Sequence, residues 1–177
     1  MNNQLIGFYR GTSPDIAGRL IQEVWNFDHS QLEAVHDYIQ WLFPSAKASQ
    51  FNPNAPILDA ETIELFAADE DLKERLSKSF ALMLDFYGLA LATDAGATTV
   101  SKAPNYSDRK ANWQDAPAGY LNHNLLRLTR ILEALNVLGL KNESIALCAC
   151  LAEIQIEESG KIPAKTLHFW RTAAASN

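Results

Sequence analysis

A chain of 177 residues with 15 Lys and Arg against 21 Asp and Glu carries a net charge of −6, with 47% apolar and 20% charged residues. That is ordinary globular composition, long enough to bury roughly two-thirds of its unfolded surface, so one domain over residues 1–177 is expected. The acidic balance argues against nucleic acid or an anionic membrane as partner, since both polyanions repel it on average. No apolar run approaches the roughly 20 residues that span a bilayer, and no basic stretch leads into an apolar one at the start, so a cytoplasmic protein is expected.

The elements read as helical nearly throughout. Ser13-Pro14-Asp15 is a start signal, and Ile16, Leu20 and Val24 follow at four-residue spacing, which predicts a helix over 14–25. A second helix starts either at Asp28, with Gln31 three residues on, or at Ser30 with Glu33. Its apolar stripe is Leu32, Val35, Ile39 and Leu42, and Pro44 stops it. Residues 45–58, with Pro53, Pro56, Asn52 and Asn54, read as a loop. Asp59 caps a short helix through Phe66. A longer one from about Asp69 carries Leu72, Leu76, Phe80, Met83 and Tyr87 to a stop at Gly88.

Residues 92–118 hold Gly96, Pro104 and Pro117 and show no sustained periodicity, so a long loop is expected, pinned by Tyr106 and Trp113. The clearest helix follows, with Leu121, Leu125, Leu128, Leu132 and Leu135 ending at Gly139. Asn142 caps another to about Glu158, and Pro163 opens a last one carrying Leu167 and Trp170, with a frayed Ala-Ala-Ala-Ser-Asn end. No alternating strand is read. The expectation is an all-α, single-domain orthogonal bundle of six or seven helices with long loops near 45–58 and 92–118.

Five strings in order resemble one family. His36-Asp37-Tyr38-Ile39-Gln40-Trp41-Leu42-Phe43-Pro44 is the most specific, after Phe8-Tyr9 and before Met83-Leu84-Asp85-Phe86-Tyr87-Gly88. Ala103-Pro104-Asn105-Tyr106 and then His123-Asn124-Leu125-Leu126-Arg127-Leu128-Thr129-Arg130-Ile131-Leu132 complete the set over roughly residues 8–140. Together they resemble the conserved domain of the opioid growth factor receptors. Phe51-Asn52-Pro53-Asn54-Ala55-Pro56 looks more like compact, stand-alone microbial members. The resemblance implies an α-helical domain which in animals belongs to a receptor that binds a short opioid peptide, methionine-enkephalin, and acts at the nucleus. This chain has no basic localisation cluster and no repeats.

Several residues could carry chemistry. His36 and Gln40 are four apart, and as neighbours on one helix face they either lock packing or meet a ligand. Asp85 falls in the last turn of its helix, where the dipole disfavours an acid by up to about 1 kcal/mol, so a cationic partner is expected. Arg127 and Arg130, three apart on one face, are the candidates. Either the pair is structural, or one arginine holds Asp85 while the other presents its fork to a carboxylate or phosphate. His29, Glu33 and His36 could be drawn as a metal site, but His29 precedes the helix if Ser30 caps it, so no metal or cofactor is expected. Cys148 and Cys150 point about 200° apart on a helix, which excludes a bridge between them and leaves two buried thiols. No Gly-x-Ser-x-Gly elbow or phosphate-cradling loop is present.

The leading expectation is a non-enzymatic ligand- or peptide-binding domain. It uses Arg127, Arg130, His36, Asp85, Gln40 and Tyr106 to take a short peptide or small anion, with 92–118 as part of the wall. The rival is an enzyme with His36 or His123 as base and Asp85 or Asp37 as orienter. A third reading is an interaction subunit, with a protein partner or as a homo-oligomer, that hides Trp113 or Trp170.

Overall fold

The computed structural model describes residues 3–49, 52–114, 122–158 and 161–175. Its elements fall into two compact units, residues 1–79 and residues 80–177. In the first, α1 (Asn3–Arg10) buries Leu5, Ile6, Phe8 and Tyr9. Short helices α2 (Ile21–Trp25), α3 (His29–Ala34) and α4 (Ile39–Leu42) follow, then α5 (Ala60–Ala68) and the start of α6 (Glu70–Tyr87). The core is aromatic: the Phe8 and Trp41 rings meet edge-on at 5.3 Å and Tyr9 meets Phe66 at 4.7 Å. The Tyr9 hydroxyl donates to the Leu42 carbonyl at 2.5 Å, and burial pushes its pKa well above the ordinary phenol value. A buried hydroxyl needs such an acceptor, and this bond ties α1 to α4.

The helix expected over 14–25 is shorter than its periodicity suggests. Asp15 is 3% exposed, and its Oδ1 accepts from the backbone N–H of both Ala17 and Arg19 at 2.9 Å. A side chain that satisfies the backbone in this way competes with the helix, so the chain turns and Ile16 is left 56% exposed. The second expected helix is two. Asp28 is its cap, with the reciprocal Gln31 bond, but α3 stops at Ala34 and Val35 is extended (ψ 131°) before α4 resumes at Ile39. Within 45–58 the described residues form an isolated bridge between Ser45 and Ile57, and the Leu58 N–H donates to the Ser45 carbonyl at 3.0 Å. Asp59 caps α5 by accepting from the Thr62 N–H at 2.8 Å.

In the second unit the all-α expectation is wrong. After Gly88 the chain forms a hairpin, β1 (Leu89–Asp94) and β2 (Ala97–Lys102), antiparallel with Leu91 opposite Val100 and Asp94 opposite Ala97. Ala95 (φ 48°) and Gly96 (φ 83°) make the two-residue turn, both in the left-handed region that a tight hairpin needs. The fold is therefore mostly helical with a two-stranded antiparallel sheet. The hairpin escaped the pattern because only Leu89 and Val100 are buried on it, so apolar alternation has almost nothing to mark. The rest of the expected loop holds two single-turn helices, α7 (Tyr106–Arg109) and α8 (Ala111–Gln114); residues 115–118 lie outside the described ones.

Then come α9 (His123–Val137), α10 (Lys141–Glu157) and α11 (Ala164–Ala175), which pack on one another. Leu125, Leu128, Leu132 and Leu135 are all buried, as the spacing predicts, whereas Leu121 lies outside the described residues. Trp170 is fully buried and its indole N–H donates to the Leu125 carbonyl at 3.3 Å. The C-terminal alanines do not fray up to Ala175: Ala173 and Ala174 are each 7% exposed, packed in the unit. Residues 176 and 177 lie outside the described ones.

Candidate functional site

The second unit builds a polar seam from the turn that leaves the hairpin. Gly88, at φ +74°, accepts the Ala103 N–H on its carbonyl at 2.9 Å and lets the chain close back. A Cβ there would lie 2.7 Å from the Tyr106 Cα, so only glycine allows this approach. The turn places Asn105 beside Asp85, whose Oδ1 accepts from the Asn105 amide at 3.1 Å. The Asn105 carboxamide oxygen is buried and meets no hydrogen-bond donor among the described residues. Arg109 donates to the Phe86 carbonyl at 3.1 Å and lies over the Phe86 ring at 5.2 Å.

Tyr106 is 6% exposed, and its hydroxyl accepts from the Gln114 amide at 2.6 Å. Burial raises its pKa, partly opposed by that hydrogen bond. Lys102 and Lys110 lie over its ring at 4.7 and 6.0 Å, and each pairs with a carboxylate at the end of α10, Glu157 and Glu158. The buried Trp113 indole donates to the Tyr87 carbonyl at 3.1 Å, pinning α8 to the end of α6. The Asn112 carbonyl accepts from the side chains of both Asn122 and Asn124, each at 2.9 Å. Asn122 also caps α9, and the Asn124 amide oxygen accepts from the Arg127 guanidinium at 3.1 Å. Arg127 is 6% exposed and Asn124 fully buried.

The expected site residues therefore have distinct places. Tyr106 and Arg127 belong to this seam, joined through Gln114 and Asn112 of one helical turn. Arg130, one turn further along α9, is half-buried, and burial pulls its guanidinium pKa down while Glu133 opposes that. Asp85 is exposed at the end of α6. His36 and Gln40 are in the first unit. His36 is exposed in the break between α3 and α4, so the two are not stacked on one helix. With its amide oriented as its surroundings require, Gln40 donates to the His36 carbonyl at 3.3 Å and the Asp37 carbonyl at 3.1 Å, and so closes that break.

The sequence reading missed Arg19. Its Nε donates to Asp15 Oδ2 at 2.7 Å and its Nη2 to Asp37 Oδ1 at 2.7 Å. Asp37, read as a possible catalytic orienter, is thus ion-paired to a segment that precedes α2. The signal was present in Asp15 four residues before Arg19, but the helix assigned there obscured it. Gln114 and Asn112 were missed because they fall in the stretch read as loop. Among the described residues no three His, Cys, Asp or Glu side chains come together as a metal site. Nor is any helix among them long and apolar enough to cross a membrane. Burial raises both thiol pKa values, that of Cys150 to about 11, so neither is a ready nucleophile at neutral pH.

A family model, "Opioid growth factor receptor (OGFr) conserved region", matches residues 6–175. The chain belongs to that family. The match takes in both units and runs beyond the motif-bearing stretch to α10 and α11. The opioid growth factor receptor of Homo sapiens is 37% identical over 143 residues, which cover 77% of this chain and 20% of that protein. The receptor of Rattus norvegicus is 38% identical over 128 residues, 71% of this chain and 21% of that protein. Opioid growth factor receptor-like protein 1 of Xenopus tropicalis is 37% identical over 118 residues, 67% of this chain and 22% of that protein. The chain spans about a fifth of the length of these curated relatives. No solved structure matches it. Of the strings that carry the resemblance, Asn105, Tyr106, Asn124 and Arg127 lie in the seam, while Asp37 and Gln40 lie at the break before α4.

Proposed function

We propose that the chain is a non-enzymatic binding domain for a short peptide or small anionic ligand, held at the seam of the second unit. Arg127 and Arg130 supply the cationic forks, Asp85 and Asn105 the opposite polar wall, and Tyr106 the aromatic surface. The observation that carries this is the buried Asn105 carboxamide oxygen, which finds no donor among the described residues while its own amide nitrogen is spent on Asp85. A buried acceptor without a donor costs about 1–3 kcal/mol, a cost that a ligand N–H offsets on binding. Membership of a family named for receptors agrees with a binding role. His36 and Gln40 are left out of this site, because Gln40 serves the local backbone.

Titration calorimetry with methionine-enkephalin and, separately, inorganic phosphate tests the reading. Binding of either should weaken about tenfold or more in Arg130→Ala and in Arg127→Lys, the latter keeping the charge but losing the planar fork. Both variants are first shown folded by circular dichroism. Unchanged binding in both, or no heat with either probe at millimolar concentration, overturns the proposal.

A further inference from the structure

A groove of about 470 Å³ lies between β2 and α10. We infer that it docks an extended peptide segment of a partner protein, added as a third strand to the free edge of β2, with a Lys or Arg of that segment against Glu153. Three observations carry this, none of them involving the Arg127 seam.

The first is the strand edge. With a two-residue turn at Ala95-Gly96, the pairs Asp94–Ala97, Ala92–Thr99 and Ala90–Ser101 exchange hydrogen bonds. Thr98 and Val100 are the alternate positions, so their N–H and C=O groups point away from β1. No backbone partner is found for them among the described residues. Among the described residues the sheet has two strands, with no third strand on this edge.

The second is what faces it. α10 packs against β2 and lines the groove with Ile145, Ala149 and Cys150. Ile145 is 51% exposed, an apolar side chain at the mouth of the groove without a cover. A free strand edge beside an apolar helix face recognises an extended backbone by ladder hydrogen bonds and alternate side chains by contact with the helix. The volume falls in the range of ligand-sized clefts, roughly 300–1,000 Å³.

The third is charge. Glu153 is the one charged side chain among the described residues lining the groove, and it is exposed. Lys102, on the same strand, is already engaged by Glu157. The charge left to complement is negative, which selects a basic residue in the incoming segment and disfavours a second copy of this acidic chain.

The test uses the ¹⁵N-labelled full chain and a mixture of nonapeptides with Val or Ile at positions 3 and 5, Lys at position 7 and all other positions varied. Amide shifts should move at Thr98, Val100, Ile145 and Ala149. The same mixture N-methylated at positions 3 to 6, which removes the ladder donors in either strand direction, should lose the effect, and Glu153→Gln should weaken the response at least about threefold. Glu153 is exposed, so that variant tests charge and not folding. Ile145→Arg should block binding altogether. Shifts confined to other amides, no shifts at millimolar peptide, or equal shifts with the methylated mixture overturn the inference. Concentration-dependent shifts at the same four amides without peptide assign the groove to self-association and overturn it too. Failure here leaves the Arg127 seam untouched, since calorimetry with Arg130→Ala reads that site separately.

Discussion

Arg19 reaches eighteen residues along the chain to donate to Asp37 at 2.7 Å, while its Nε holds Asp15 at 2.7 Å. The two carboxylates are not equivalent. The Asp15 side chain is fully buried, and that of Asp37 is 43% exposed. The Arg19 guanidinium also sits 6.0 Å from the Phe27 ring, so the same side chain helps seat the entry to α3.

Removing Arg19 strands a buried carboxylate, so Arg19→Met should destabilise the protein by about 3 kcal/mol. Asp37→Asn removes only the exposed arm and should cost about 0.5–1 kcal/mol. Asp15→Asn should fall nearer the Arg19 variant, because it also weakens the turn that accepts Ala17 and Arg19. Urea melts of the three variants, with Arg19→Met/Asp37→Asn closing a cycle, measure the order. Equal costs for the two aspartates would show that burial does not set the balance.

Gly88 and Gly18 separate backbone strain from crowding. Both have positive φ, +74° and +84°, but only at Gly88 does a Cβ meet another backbone, the Tyr106 Cα at 2.7 Å. Gly18→Ala should therefore cost about 1 kcal/mol, the strain alone. Gly88→Ala should cost clearly more, about 2–3 kcal/mol, since the turn carrying Asn105 and Tyr106 has to move. Near-ultraviolet circular dichroism should report that movement through Tyr106 and Trp113 in the second variant and not the first.

These positions also show what was legible beforehand. Long helices with deep apolar stripes, such as Leu125 to Leu135 in α9, read directly from spacing because each side chain is buried on the face the spacing defines. Caps that satisfy a local backbone group, Asp28 with Gln31 and Asp59 with Thr62, read equally well. The hairpin did not, because a mostly solvated ladder needs no apolar alternation, and Asp94-Ala95-Gly96 is a weaker turn signal than Asn-Gly. The break at Val35–Tyr38 was hidden for another reason. Leu32, Ile39 and Leu42 are all buried across two helices, so the stripe persists where the helix does not. Tyr106 and Arg127 were legible as residues, but their joining through Asn112 and Gln114 depends on a helical turn that no periodicity marks.

Cys150 gives the protein an alkaline limit. Burial raises its thiol pKa from 9.0 to about 11, while in the unfolded chain the thiol ionises near the ordinary value. A raised folded pKa means the contribution is complete below pH 9 and is lost as pH rises from about 9 towards 11. Stability measured by urea midpoint should fall across that window, and Cys150→Ala should flatten the fall at the expense of some packing at all pH values. Consistently, iodoacetamide at pH 8 should leave Cys150 unmodified in the native protein and label it in 6 M guanidinium, with both read by mass spectrometry.

Tyr106→Phe distinguishes a structural hydroxyl from one that serves a ligand. The Gln114 amide, 4% exposed, donates to that oxygen at 2.6 Å, so deleting it leaves a buried N–H unmet at a cost of about 1–3 kcal/mol. Tyr106→Phe with Gln114→Met removes both polar ends and should recover most of the loss, because an apolar pair of similar shape leaves no unmet donor. Thermal melts of the two single variants and the double give the coupling. If the double variant regains stability yet loses the binding seen by calorimetry, the hydroxyl is part of the ligand site. If it regains both, Tyr106 contributes its ring and not its oxygen, and the polar contacts fall to Asn105 and the α9 arginines.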